Sequence, residues 1–225
     1  MKKLKKIRPN LHDDSCKLCP RLTDYLADTR ERFPEYRCLP VPSFGNVGAK
    51  VLVVGLAPGL HGANATGRPF TGDHAGKLLY STLFNRGLSN QPDSVYVGDG
   101  LVLSGCRIVN AVKCLPPNNK PNNAEIKNCN KFLSAEIESL EYGSVLIALG
   151  KIAHDAILRT QNVPLSRYKF NHGAEHWLST RNLRLFDSYH CSRYNTQTRR
   201  LTENMFDEVF QKAISALNEV DGCEQ

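Results

Sequence analysis

Several familiar signatures are missing from this chain, and each absence removes a class of function. No apolar run approaches eighteen residues, so no stretch reads as a membrane-spanning helix. The basic N-terminus is not followed by an apolar h-region, so it does not read as a secretory signal. GxxxxGK[ST] is absent, and so is GxGxxG at a strand end, which sets aside the common phosphate cradles. No GxSxG elbow, HExxH or Asp-rich metal cluster is present, which argues against a metal-dependent nucleotide hydrolase. There is no internal repeat. C-x2-C occurs only once, so a zinc ribbon is not indicated.

What remains is an ordinary globular composition, 41% apolar and 23% charged, over 225 residues. That suffices for one domain with a real core, expected over residues 13–220 after a basic, unstructured arm at 1–12. Five of the seven net positive charges fall in that arm, on Lys2, Lys3, Lys5, Lys6 and Arg8. A basic arm on a nearly neutral body suits a polyanion such as nucleic acid, although short basic ends are also common as plain solvated tails. The expected setting is the cytoplasm, close to the nucleoid in a prokaryote, with no membrane partner and a monomeric chain.

The stretch from Val51 to Leu79 dominates the pattern. It starts as a buried strand at Val51–Val54 and ends in helical spacing at Leu78, Leu79, Leu83, Phe84 and Leu88. About twenty residues rich in glycine lie between, an unusual length for a compact domain unless the connection is functional. They carry His61, Asn64, Arg68, Phe70, Thr71, Asp73 and His74.

Further along, a helix is expected from Cys16 to about Arg32, and an extended Pro-rich loop from Pro34 to Phe44. A helix at Ala75–Gly87 is followed by a turn-rich surface link over 89–100. Strands are expected at Cys106–Val112, Ser144–Gly150 and Leu183–Tyr189. Asn122 and Glu125 resemble a capping box before a helix with an Ile126, Cys129, Leu133, Ile137, Leu140 stripe. A helix runs from Gly150 to about Arg159, a Gly- and His-bearing loop holds Asn171, His172, Gly173 and His176, and an amphipathic helix closes the chain. Strands and helices therefore alternate four times, which predicts a parallel sheet with helices on both faces. Ligands bind such folds beyond the carboxyl ends of the strands. The loop after Gly55, Asn110 and His190 all fall at those ends.

Phe70 can stack on a planar ring, and Asn110 can read the edge of a base. His190 can stabilise charge developing on a leaving group, and Asp73 can orient water. Together they suit hydrolysis of an N-glycosidic bond to a nucleobase. Each has a structural alternative: Asp73 as an N-cap, Phe70 as core, Asn110 and His190 as loop supports. Of the eight cysteines, Cys38, Cys106, Cys191 and Cys223 read as small buried hydrophobes. Cys16 and Cys19 form CKLC, and Cys114 and Cys129 stand out by position. Spacing alone leaves zinc and [4Fe–4S] equally open for these four.

GLAPGLHGANATGRPFTGD and YHCSRYNTQTRRLT resemble the two signature motifs of the family 5 uracil-DNA glycosylases, the UDGb group. NAVKCLPPNNKP and the four-cysteine layout match as well, and the similarity runs from Cys16 to Leu217. The resemblance implies a three-layer α/β/α fold with a four-stranded parallel central sheet. It implies a [4Fe–4S] cluster on Cys16, Cys19, Cys114 and Cys129, which chooses iron over zinc. It implies a monofunctional DNA glycosylase that flips out uracil, and other deaminated bases such as hypoxanthine, leaving an abasic site. Asp73 and His190 would then be catalytic, and Gly55, Ala57, Phe70 and Asn110 would bind the base. Arg193, Tyr194, Asn195, Arg199 and Arg200 would contact DNA, with Arg193 or Tyr194 as the wedge. Leu56 stands where family 4 enzymes carry an acid, and Gly59, Cys191 and Tyr194 depart from the usual family 5 residues. The competing expectation is a non-catalytic iron–sulfur nucleic-acid-binding module of the same fold.

Overall fold

Four short, largely apolar runs build the middle of the sheet. They are β2 (Val51–Gly55), β3 (Cys106–Asn110), β4 (Val145–Leu149) and β6 (Leu183–Ser188), and all their residues but Arg184 are buried. The computed structural model describes residues 11–221, so most of the basic arm and Cys223 lie outside the described residues. The four strands pair in parallel in the order β3-β2-β4-β6. Two antiparallel edge strands make the sheet six-stranded and mixed, rather than four-stranded. β1 (Phe44–Gly45) pairs with β3, and β5 (Glu175–Leu178) pairs with β6. Both escape a sequence reading for physical reasons. β1 is two residues of an already extended loop, and β5 is a short edge whose polar residues show no apolar run.

Side chains alternate across the sheet as the pleat requires. Val51 and Val53 pack with Leu79, Tyr80 and Leu83 of α3 (His74–Asn85) and Phe206 and Phe210 of α7 (Glu203–Asp221). Leu52 and Val54 pack on the other face. Their partners are Leu22 of α1 (Pro20–Arg32), Ile126 and Leu133 of α4 (Asn123–Glu138) and Ile157 of α5 (Lys151–Thr160). Three layers result, and each fully buried Leu or Phe contributes roughly 1.5–3 kcal/mol. The capping box of α4 forms in both directions, Glu125 N–H to Asn122 Oδ1 at 2.9 Å and Asn122 N–H to Glu125 Oε2 at 2.8 Å. α1 starts at Pro20, not Cys16, because Pro fits the first helical position and Cys19 is non-helical. β3 stops at Asn110, short of Val112, and His176 lies on β5 rather than in a loop. Among the described residues no helix is long and apolar enough to cross a membrane.

The long connection after β2 is held by one buried cation. Arg68 donates to both oxygens of Asp99 at 2.9 and 2.6 Å, to Thr71 Oγ1 at 2.9 Å, to Ser94 Oγ at 2.7 Å and to the Tyr96 carbonyl at 2.8 Å. Its guanidinium also lies over the Phe44 ring at 5.0 Å. The 89–100 link is therefore more than a surface connection, because it supplies the counter-ion. Arg68 donation holds the Asp99 carboxyl well below the usual range, so this support is present at neutral pH and lost as pH falls through Asp99's folded pKa. Arg68→Leu, which strands a carboxylate only 6% exposed, lowers Tm by about 10 °C in a thermal melt. A shift below about 3 °C would show that the loop holds itself without the pair.

Candidate active site

The chain passes from β2 to β3 on one side and then crosses from β3 to β4 on the other side of β2, which opens a crevice beyond the strand ends. A pocket of about 660 Å³ lies there, lined among others by Ala57, Phe70, Asp73, Asn110, His190 and Arg193. Six residues singled out from the sequence thus converge although they come from distant parts of the chain.

Gly55 ends β2 directly opposite Asn110 at the end of β3. A Cβ on Gly55 would meet Asn110 Oδ1 at 2.4 Å and the Phe70 ring at 2.6 Å, so only glycine leaves these two groups their places. Asn110 is 5% exposed, and its Oδ1 has no hydrogen-bond partner. An unpaired buried acceptor costs about 1–3 kcal/mol, which a donor arriving with a ligand would recover. Phe70 is buried at φ +54°, a strained conformation for an aromatic. Its neighbours hold it there, Arg68 and Thr71 as above and Pro69 through the Tyr80 hydroxyl, which donates to its carbonyl at 2.7 Å.

Asp73 has two roles at once. Its Oδ1 accepts the Gly76 N–H at 2.8 Å and caps α3. Its Oδ2 faces Gly62, where a Cβ would intrude to 2.6 Å. Burial raises its carboxyl above the ordinary value, opposed by the Gly76 and Ala75 N–H groups. His190 follows β6, stacks on Phe70 with centroids 6.0 Å apart at 28°, and abuts Gly150. Burial alone pushes its imidazole down to about 4, so it is neutral at physiological pH.

The remaining sequence-derived residues divide. Arg193 lines the rim, and Tyr194 beside it on α6 (Arg193–Gln197) is 70% exposed. Asn195 donates from Nδ2 to the His190 carbonyl at 2.8 Å, which ties it to the histidine's backbone. Arg199 follows α6 at φ +56°, and Arg200 lies 4.6 Å over the Tyr189 ring. Leu56, His61, His74, Asn119 and Ser192 also line the pocket. His61 was visible among the polar residues of the Gly-rich stretch, and its Nδ1 lies 2.8 Å from the Tyr36 hydroxyl. His74 bonds to Thr196 Oγ1 at 2.9 Å, joining the two motifs through a contact that no local pattern announces.

Cys16, Cys19, Cys114 and Cys129 share a second, small cleft with Leu18, Leu22, Val112 and Phe132. The Lys113 N–H points at Cys129 Sγ at 3.3 Å, and Asn128 Nδ2 at Cys19 Sγ at 3.7 Å. Burial, reinforced by the other three sulfurs, pushes the Cys114 thiol up to about 12. Sulfur is a donor that zinc and iron–sulfur centres both take, and the four side chains share this one cleft. Cys38, Cys106 and Cys191 lie outside that cleft, buried in the core.

A three-layer α/β/α sheet whose strand ends offer a stacking ring, an unpaired amide, a neutral imidazole and a carboxylate defines a site for a planar heterocycle. The comparisons agree with that class. A sequence model of the Uracil DNA glycosylase superfamily matches residues 42–214. The chain is 44% identical to a type-5 uracil-DNA glycosylase of Thermus thermophilus, covering 88% of this chain and 92% of that protein. It is 41% identical to the type-5 enzyme of Mycobacterium leprae over 88% and 90%. A type-4 uracil-DNA glycosylase of Saccharolobus solfataricus is 30% identical over 81% and 79%. The chain belongs to the uracil-DNA glycosylase superfamily, on its type-5 branch.

Gly55→Ala should therefore damage the pocket more than the fold. We expect base excision to fall by on the order of a hundredfold while Tm drops by less than about 8 °C. An unchanged rate would mean that Asn110 and Phe70 need not hold their positions.

Proposed function

We propose that this chain excises uracil from DNA by hydrolysing the N-glycosidic bond, leaving an abasic site. Other deaminated bases such as hypoxanthine fall within the same reading. The observation that carries it is the unpartnered Asn110 amide, set in a pocket with Phe70, neutral His190 and Asp73 in a type-5 chain.

The flipped base stacks on Phe70, and its edge pairs with the Asn110 amide. The ionised Asp73 carboxylate orients a water toward C1′ and offsets positive charge on the sugar as the C1′–N bond opens. The bond's electron pair moves onto the base. A neutral imidazole carries one N–H, so His190 donates to the carbonyl oxygen that gains charge without surrendering a proton. The water oxygen joins C1′, and its proton leaves to solvent. Arg193, Arg199 and Arg200 hold phosphates, and exposed Tyr194 or Arg193 occupies the gap left by the flipped base. Flipping costs a few kcal/mol and is easiest at mispaired sites.

Cys16, Cys19, Cys114 and Cys129 hold a [4Fe–4S] cluster in this reading, and the cluster takes no part in the excision steps. Chain purified without oxygen should carry iron and acid-labile sulfide in equal amounts, with broad visible absorbance that Cys114→Ala loses. Zinc in their place would overturn the assignment.

His190→Ala should reduce single-turnover excision of uracil from a U·G duplex in EDTA far more than it reduces DNA binding. Equal loss of both would remove His190 from the chemistry. Asp73→Asn separates the two roles of that side chain, because Asn caps a helix as well as Asp does. We expect Tm to hold within about 2 °C while excision slows by on the order of a hundredfold. The wild-type rate should fall on the acid side with an apparent pKa above the ordinary carboxylate value, a limb absent from Asp73→Asn. A wild-type chain that binds DNA but leaves uracil untouched would favour the non-catalytic module.

A further inference from the structure

Away from the pocket, three titratable side chains meet in the core where α5, β5 and β6 join. Asp187 of β6 is fully buried, as is His154 of α5, and His176 of β5 has a side chain only 12% exposed. His154 Nδ1 lies 2.7 Å from Asp187 Oδ1, and His176 Nε2 lies 3.0 Å from Asp187 Oδ2. His154 Nε2 lies 3.1 Å from the Tyr168 carbonyl oxygen. A backbone carbonyl only accepts, so His154 Nε2 must carry a proton. Its Nδ1 faces a carboxylate, so a proton lies on that line as well. Carboxylic acid and imidazolium differ by more than two units in ordinary acidity, which leaves that proton on the ring. His176 Nε2 sits against the other carboxylate oxygen of Asp187.

We propose that His154 is a buried imidazolium that neutralises Asp187 and thereby positions the end of β6, from which His190 enters the pocket. The same strand end is tied by Gly150 N–H to the Ser188 carbonyl and by Gly173 N–H to the Asp187 carbonyl, both at 2.8 Å. Tyr189 N–H donates to His172 Nδ1 at 3.1 Å. A shift of Asp187 would therefore move several contacts that set His190. A divalent metal could take the same three side chains, but the geometry speaks for hydrogen bonds. An ion about 2.0–2.2 Å from each ligand at tetrahedral angles would spread the donors beyond 3 Å.

Facing His154 are Asp187 from β6, His176 from β5 and Asp155 from its own helix, with Tyr168 from the loop between α5 and β5. Burial is the largest single influence and opposes its charge, but the Asp187 hydrogen bond and charge, the Tyr168 carbonyl and Asp155 together outweigh it and raise its pKa. The folded value thus lies above the unfolded one. The stabilisation is fully present below the unfolded pKa and is lost as pH rises through the folded pKa.

The protonation state is tested on the unaltered chain by ¹⁵N NMR of its histidines at pH 7, assigned by a His154→Gln variant. Two protonated ring nitrogens on His154 are expected. One bare nitrogen, or a bound metal lost from Asp187→Ala, overturns the proposal. His154→Leu alone should lower Tm by about 10 °C and slow uracil excision about tenfold or more. His154→Leu with Asp187→Ala removes both charges and should recover most of each loss, and it should lack the alkaline decline in melting temperature of the wild-type chain. A double variant no better than the single one also overturns it. The excision readout rests on His190 acting in the pocket, whereas the NMR and melting readouts do not. Failure of the first alone, with His190→Ala still slowing excision, would overturn the positioning of β6 by the pair, whereas His190→Ala without effect would count against the catalytic reading of His190.

Discussion

The arrangement of the pocket depends on the buried pair between Arg68 and Asp99. The connection after β2 has only one short helix, Ala63–Thr66, and few apolar side chains to anchor it. An unanchored connection of this length would sample many conformations, each residue gaining about 1–2 kcal/mol of entropy. Arg68 removes that freedom with a fan of donors reaching Asp99, Thr71, Ser94 and Tyr96. Phe70 lies between two of the anchored residues, which is why an aromatic can persist at positive φ. Asp73 follows directly, and its cap on α3 carries the constraint into the helix. A guanidinium suits this role because its fixed fork serves several acceptors at once.

The sheet does the rest by register. Pairing Gly55 with Asn110 brings the amide beside the stacking ring, and the missing Cβ at Gly55 makes the approach close enough to matter. The neighbouring strands bring His190 from the other side. Phe70 and Asp73 share one loop, and Asn110 and His190 come from distant parts of the chain, yet each lies at a strand end or in the loop leaving it. The six-stranded sheet adds edges without disturbing this centre, since β1 and β5 are its outermost strands.

Much of this was legible in the sequence because its signals are local. Runs such as VLVVG and VLIAL announce buried strands, and strand–helix alternation announces their parallel pairing. The capping box at Asn122 and the pocket residues at strand ends were legible for the same reason. The opaque parts depend on long-range partners. Asp99 sits in a stretch that resembles an ordinary surface link, and only the fold reveals its counter-ion. Asn195 follows Arg193 and Tyr194 in a motif that suggests contact with DNA, and only the fold reveals its hydrogen bond to the His190 backbone. His176 looked like a loop residue because a four-residue edge strand with alternating exposure leaves no hydrophobic signature. His74 and Thr196 meet across the pocket rim, a contact between two motifs that neither motif encodes alone.

Two histidines near the end of β6 show how surroundings assign roles to the same side chain. Both lose hydration, which disfavours the charged form. His154 meets a carboxylate on one side and a carbonyl on the other, so the proton stays and the ring becomes a structural cation. His190 has no such acceptor, and burial alone acts on it. Asp73, a carboxylate that lines the same pocket, is engaged by the first turn of α3, and no hydrogen bond joins the two. A direct His190–Asp73 bond would have made a charged dyad and closed the space between them. Keeping them apart leaves an anion and a neutral imidazole on separate sides of the pocket, the separation of charge that the proposed excision would use.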